Sequence, residues 1–277
     1  MSFLEAVLYG LLQGLAEFLP ISSSGHLSLA QNFFGAENLE ENYLTFTVLL
    51  HLGTLVAVCL VYYKDVWMLI KGFFSLLKKL FTGKIKNGLD QGERLFLLLL
   101  IATLPLIPAA IFSKYVENAS RISWLIGLFL ILNGFMLFLS DKLSNPKYDF
   151  SNIKYKNTLV IGLIQLFGVL PGISRSGSTI TGGLFMGFKK EDAVKFSFLM
   201  SIPAIIGANI LELGNLVSSP IPSDSVMPVI AGVLTAIVSG LAAIKLLQYI
   251  TKNKKLSVFS VYCFIIGITA IIADILT

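Results

Sequence analysis

The sequence predicts an all-α polytopic membrane protein with six transmembrane helices plus two re-entrant helix pairs, related as an inverted-topology repeat. Three observations predict it. Apolar residues make up 55% of the 277 residues and charged residues only 13%, with a mean hydropathy of +0.81, which leaves too little polar surface for a soluble domain of this size. Six apolar runs approach the ~20 residues that cross a bilayer core. Two further apolar stretches carry nearly the same serine-rich phrase, PISSSGHLSLA at 20–30 and PGISRSGSTIT at 171–181.

The first stretch, 1–35, is broken midway by Pro, Ser and Gly, so each piece is about half a membrane long. It reads as a re-entrant pair, because irregular backbone at membrane depth persists only where protein or a watery cavity satisfies its polar groups. Residues 1–41 contain no Lys or Arg, and the apolar run carries Gln13 and Glu17, so a cleavable signal peptide is not expected. Spans are expected at 44–63, 95–112 and 122–139. The second broken stretch, 158–188, precedes spans at 196–213, 229–247 and 258–273. Cys59 and Cys263 both fall inside spans and read as small buried hydrophobes rather than a disulfide. The chain is thus a single integral membrane domain, 1–277, with repeat one at about 1–140 and repeat two at about 155–277.

Charge sets the expected orientation. Basic residues crowd the segment 64–94 and the loops 141–157, 188–195 and 252–255, and all four fall on one side if six spans alternate and both broken stretches re-enter. By the positive-inside rule that side is the cytoplasm. The opposite loops are acidic, 35–42 through Glu37, Glu40 and Glu41 and 217–227 through Asp224, while 114–121 is mixed. Both termini should then face outward. Topology and lipid headgroups account for the net charge of +5, so no nucleic-acid partner is expected.

A shift of 152 positions lays Gly10 on Gly162, Gln13 on Gln165, Ser22 on Ser174, Ser24 on Ser176 and Gly25 on Gly177. Each half is then one re-entrant pair and three spans, and an odd number of spans makes the second half enter from the opposite side, so the two breaks meet near the bilayer midplane. In each pair the second half-helix starts just after the serines, with its free backbone N–H groups and positive end at that meeting place. Two such ends make an anion site, and Arg175 adds a planar donor fork suited to phosphate.

The copies differ where chemistry would need them to. Gln13 and Glu17, at i and i+4, share a helical face, whereas repeat two keeps Gln165 but has Val169 in place of Glu17. Arg175 matches Ser23, and Ser178 matches His26. One repeat supplies a carboxylate, a hydroxyl and an imidazole, and the other the cation. The blander reading makes Glu17 and Arg175 a structural ion pair, and Ser22, Ser24, Ser174 and Ser176 caps and loop donors.

At these residues the chain resembles the bacitracin-resistance family of undecaprenyl-pyrophosphate phosphatases. QGLAEFLPISSSGH (13–26) is similar to the family's acidic motif and PGISRSGSTI (171–180) to its arginine motif. The likeness extends through LLHLGTLVAV (49–58), IATLPLIPAAI (101–111) and FSFLMSIPAI (196–205). It implies removal of the terminal phosphate from the C55 polyprenyl pyrophosphate carrier at the outer face of the bacterial plasma membrane, which regenerates the carrier for cell-wall synthesis and confers bacitracin resistance.

On this resemblance Glu17, Ser23, His26 and Arg175 are the catalytic set. Arg175, Ser174, Ser176 and Thr179, together with Gln13, Ser22, Ser24, Gly172 and Gly177, are expected to bind the pyrophosphate. Ser23, His26 or a water is the nucleophile. Glu17, helped by Gln13, would orient it or hold a divalent cation, Mg2+ or Ca2+, that shields the phosphates; no organic cofactor is expected. Gln13 is the neutral option at its motif position, Thr47 stands where other members carry an acid, and His51 reads as a helix-packing hydrogen bonder. A homodimer is compatible with this reading. The alternative is a secondary transporter or flippase of a phosphorylated lipid or small anion, because inverted repeats with broken helices also mark transporters.

Overall fold

The computed structural model describes residues 1–277 except 35–38, 84–87, 219–221, 223–224, 254 and 277. The described residues are almost wholly α-helical. The chain is an all-α, multi-pass membrane protein. Among the described residues, five helices are long and apolar enough to cross a bilayer singly: Gln91–Ala109, Ser123–Leu143, Lys190–Leu211, Val226–Asn253 and Ser257–Leu276. They correspond to five of the six expected spans.

The sixth differs in an instructive way. Helix α3 (Leu39–Val61) occupies the expected first span, but at Tyr62 the chain turns and continues as α4 (Tyr63–Phe81), with a bend of 94°. The segment 64–94 is therefore not simply a basic loop. Lys64, Lys71, Lys78 and Lys79 sit on an amphipathic helix whose Trp67, Ile70, Phe73 and Phe74 are exposed. The mixed loop 114–121 likewise forms a short helix, α6 (Ser113–Ser120). Between them, α5 (Gln91–Thr103) tightens into a 3-10 segment, Leu104–Phe112, where Pro105 and Pro108 remove backbone donors that an α-helix would use. Glu37 and Asp224, assigned to the acidic loops, lie outside the described residues.

Both predicted breaks are present. Helix α1 (Phe3–Phe18), opened by a Ser2–Glu5 capping box, ends at Leu19, and α2 (Ser23–Phe34) starts after the extended break. Helix α8 (Tyr155–Gln165) runs into a 3-10 turn, Leu166–Val169, and α9 (Arg175–Phe185) starts after its own break, capped by Ser174. These arms have 16, 12, 11 and 11 residues, about 16–24 Å at ~1.5 Å per residue, short of the ~30 Å hydrocarbon core.

The two glycines in the 152-residue register, Gly10 and Gly162, make similarly close helix contacts. A Cβ on Gly10 would lie 2.1 Å from the Gly232 carbonyl oxygen, and one on Gly162 would lie 2.2 Å from that of Ala102. Only glycine lets α1 press onto α11 (Val226–Asn253) and α8 press onto α5 so closely. Helices α7 (Ser123–Leu143) and α12 (Ser257–Leu276) meet reciprocally at Gly127 and Gly267.

The four basic segments adjoin one another. Arg94 donates to the carbonyls of Phe150 and Ile153, Lys195 pairs with Asp65 at 2.6 Å, Lys190 pairs with Asp141 at 2.8 Å, and Asp141 also accepts from the Ser257 amide at 2.8 Å. The residues between the breaks and this face form the main apolar core, from Ala16 and Phe18 through Phe196, Phe198 and Leu199 to Ile244 and Leu247.

Candidate active site

The two breaks meet at Asn133, in the middle of α7. Its amide Nδ2 donates to the Pro20 carbonyl at 2.8 Å, and its Oδ1 accepts from the Ser174 amide at 3.2 Å. A second tie runs from the Gly172 amide to Ser22 Oγ at 3.1 Å, and a third from Ser176 Oγ to the Leu19 carbonyl at 3.3 Å. Gly172 has φ +104°, and a Cβ there would lie 2.5 Å from the Ile126 carbonyl oxygen, so the turn demands glycine. Ser22 is the one described non-glycine residue at positive φ, +73°, a strained conformation of the kind that clusters at functional sites.

The serine caps repeat in register. Ser22 Oγ accepts from the Gly25 amide at 3.2 Å and Ser174 Oγ from the Gly177 amide at 3.0 Å. Ser24 Oγ lies 3.4 Å from Ser22 Oγ, and Ser176 Oγ lies 3.0 Å from Ser174 Oγ. Thr179 Oγ1 is buried against the Arg175 carbonyl at 2.9 Å and Ser197 Oγ at 2.6 Å. The hydroxyls of Ser22, Ser174, Ser176 and Thr179 are thus spent on the scaffold, while Ser24 is exposed. What this scaffold presents is the start of α2 and of α9, where first-turn amides lack intrahelical acceptors.

Between those helix starts sits a charged cluster. Glu17, at the end of α1 and only 8% exposed, accepts from Arg175 Nη2 at 2.5 Å on Oε1. Its Oε2 accepts from Ser23 Oγ at 2.8 Å and from Gln13 Nε2 at 3.1 Å. Arg175 is 17% exposed and its Nη1 is buried without a partner among the described residues; the same holds for Gln13 Oε1. A buried donor and a buried acceptor left open beside a satisfied carboxylate cost free energy unless a ligand completes them.

Glu17, Gln13, Ser23 and Arg175 are therefore brought together. His26 is held apart from that cluster by other bonds. Its Nδ1 lies 2.8 Å from the Ser22 carbonyl and its Nε2 lies 2.8 Å from the Tyr262 hydroxyl, with the two rings stacked at 5.6 Å. Because a carbonyl only accepts, Nδ1 carries the proton and the Nε2 lone pair takes the tyrosine hydroxyl. His51, read as a packing residue, does bond the Thr47 carbonyl through Nδ1 at 2.8 Å, but its Nε2 also lies 3.9 Å from Glu17 Oε2. It belongs to the site. No group of three or more His, Cys, Asp or Glu side chains placed to hold a metal occurs among the described residues.

The family model described as "Bacitracin resistance protein BacA" matches residues 6–269. The chain belongs to the BacA family. Similar curated proteins named "Undecaprenyl-diphosphatase" include one from Alkaliphilus metalliredigens, 40% identical over all of both chains. One from Thermosipho africanus is 42% identical over 95% of this chain and 97% of its own, and one from Methanobrevibacter smithii is 37% identical over 99% of each. The BacA match spans both broken pairs, so the Glu17–Arg175 cluster and the ties that build it lie inside the family region.

Sequence reasoning missed Asn133 and Tyr262 and set His51 aside. The signal for Asn133 and His51 was their position, since a polar or ionisable side chain within a span is expensive and usually functional. Tyr262 carried no such signal, because tyrosine is ordinary in an apolar helix.

Proposed function

We propose that this chain is the phosphatase that hydrolyses undecaprenyl pyrophosphate to undecaprenyl phosphate and inorganic phosphate, recycling the carrier for cell-wall synthesis and so conferring bacitracin resistance. The observation that carries this reading is the Ser23–Glu17–Arg175 arrangement: a hydroxyl on one carboxylate oxygen, an arginine on the other, and a second guanidinium nitrogen left open. An anion carrier would need the arginine and the helix starts, but not a hydroxyl seated on a base.

In the reaction, Arg175 Nη1 and the first-turn amides of α2 and α9 take up pyrophosphate oxygens. Ser23 Oγ attacks the terminal phosphorus as its proton passes to Glu17 Oε2, and the bond to the bridging oxygen breaks to release the lipid monophosphate. Water then cleaves the phosphoserine and frees inorganic phosphate, with Glu17 again handling the proton. Such transfer is mostly positioning and electrostatics, so a carboxylate also bound to arginine is base enough. Ser23 is favoured over His26 as nucleophile because both His26 nitrogens are engaged. Gln13 Oε1 and Glu17, with phosphate oxygens, fit the few hard oxygen donors that Mg2+ or Ca2+ accepts; such an ion would neutralise charge on the leaving phosphates.

The adjoining basic segments fit a cytoplasmic face by the positive-inside rule, with the site opening outward across the bacterial plasma membrane. Purified protein in detergent should release phosphate from the lipid pyrophosphate without any gradient, and rapid quenching should trap phosphate on Ser23. No release with any divalent ion would turn the reading to transport. Release with full activity in Ser23→Ala would move the nucleophile to water or His26.

A further inference from the structure

We propose that the cleft between α4 and the start of α5 is a binding site for the phosphate-bearing headgroup of an anionic phospholipid. It uses none of the residues of the Glu17–Arg175 cluster. The starting point is the bend of 94° at Tyr62. A chain that leaves a spanning helix and turns through a right angle runs along the membrane surface, and the make-up of α4 suits that position. Lys64, Lys71 and Lys78 recur every seven residues and so form one stripe, and Trp67, Phe74 and Phe81 form a second stripe beside it. An exposed basic stripe next to an exposed aromatic one is the pattern of a helix lying at the headgroup boundary.

Helix α4 is fastened to the body of the protein. Buried Glu93 accepts from Ser75 Oγ at 2.6 Å, Lys79 Nζ at 2.6 Å and the Asp90 amide at 2.8 Å. A Cβ on Gly72 would lie 2.4 Å from the Gly92 backbone, so the two helices touch main chain to main chain. Asp65 is paired with Lys195. These contacts use the inward charges of α4 and leave Lys64, Lys71 and Lys78 over, of which the first two face the cleft.

Lys64 and Lys71 have no carboxylate partner among the described residues. Each instead lies along an aromatic ring, Lys64 Nζ at 5.8 Å from Tyr63 and Lys71 Nζ at 5.4 Å from Trp67. Both line an open cavity of about 470 Å³, together with Trp67, Met68 and Asp90. Among the described residues Asp90 is the only carboxylate in the lining, and its Oδ1 is turned to cap α5 through the Glu93 amide at 2.8 Å. The cleft therefore offers two unpaired ammonium groups for a phosphate, with Trp67 and Met68 beside them for the glycerol and first acyl carbons. A zwitterionic headgroup would bring its own cation against the lysines.

The chain has two tryptophans, so in a Trp124→Phe background Trp67 reports on this cleft alone. The full chain is reconstituted in phosphatidylcholine vesicles containing either phosphatidylglycerol or phosphatidylcholine brominated on the acyl chains. Each lysine near an anionic surface is worth about fivefold in affinity, so brominated phosphatidylglycerol should quench Trp67 at a several-fold lower mole fraction than brominated phosphatidylcholine. Lys64→Gln with Lys71→Gln should abolish that preference, Lys64→Arg with Lys71→Arg should keep it, and Lys78→Gln, on the same stripe but outside the cleft, should change it little. Equal quenching by the two lipids would overturn the proposal. So would a loss in Lys78→Gln as large as in the cleft variants, which would show surface charge without a site. Thermal melting of each variant confirms that α4 remains docked.

Discussion

Replacing Arg175 separates the catalytic role of the guanidinium from its structural one. Nη2 is committed to Glu17 at 2.5 Å, whereas Nη1 is buried and open. A lysine can restore the ion pair with its single nitrogen but cannot also fill the Nη1 position. Arg175→Lys should therefore melt close to the wild type yet lose about 100 to 1000-fold in kcat, the usual effect of removing one oriented donor to developing charge, or roughly 2.7–4 kcal/mol. Arg175→Ala should lose at least as much activity and stability as well. Glu17, only 8% exposed beside Arg175, would keep the neutral donors Ser23 and Gln13 and His51 at 3.9 Å, and a buried charge stripped of its partner costs about 3–5 kcal/mol. The two neutral bonds place the expected loss at the lower end. Glu17→Gln combined with Arg175→Ala removes both charges and should regain most of the stability while staying inactive. Phosphate release from the lipid pyrophosphate and melting in detergent would be measured on the same preparations. Recovery of turnover in the double variant would refute the catalytic role, and so would Arg175→Lys within about threefold of wild type.

Two further outcomes follow from the contacts that build the site. Asn133→Leu leaves the Ser174 amide buried without its partner and the Pro20 carbonyl with only the weak Cys263 thiol at 3.9 Å, at about 1–3 kcal/mol for the bare amide alone, so the melting temperature should fall clearly; an unchanged melt would show that Asn133 does not tie the breaks together. Tyr262→Phe keeps the stacked ring but removes the hydroxyl on His26 Nε2, so stability should fall by about 1 kcal/mol; an unchanged melt would reduce the contact to packing.

Much of this protein is legible without a structure. The bilayer imposes length and composition on every span, so five of the six expected spans reappear as separate helices long and apolar enough to cross on their own, and the Pro, Ser and Gly breaks appear where α1 gives way to α2 and α8 to α9. The internal register was equally plain, because paired caps such as Ser22–Gly25 and Ser174–Gly177 are local hydrogen bonds that depend on neighbours three residues away. The union of Glu17 with Arg175 could be argued from the same register, as the two copies carry complementary charges at the breaks.

What only the tertiary structure decided lies between elements far apart in the chain. Asn133 bridges Pro20 and Ser174, and Tyr262 reaches His26 across 236 positions; no local pattern encodes which helix faces which. His51 was visible as a polar residue in a span, but its approach to Glu17 depends on how α3 packs beside α1. Helix α4 was hidden for a different reason. Its lysines are dense enough to read as a loop on charge alone, and only the right-angle turn at Tyr62 and the Gly72–Gly92 contact show that the same residues form an amphipathic helix with two stripes. Solvation by the bilayer acts on each segment separately and leaves its mark in composition, whereas side-chain packing acts between segments and leaves its mark only in three dimensions.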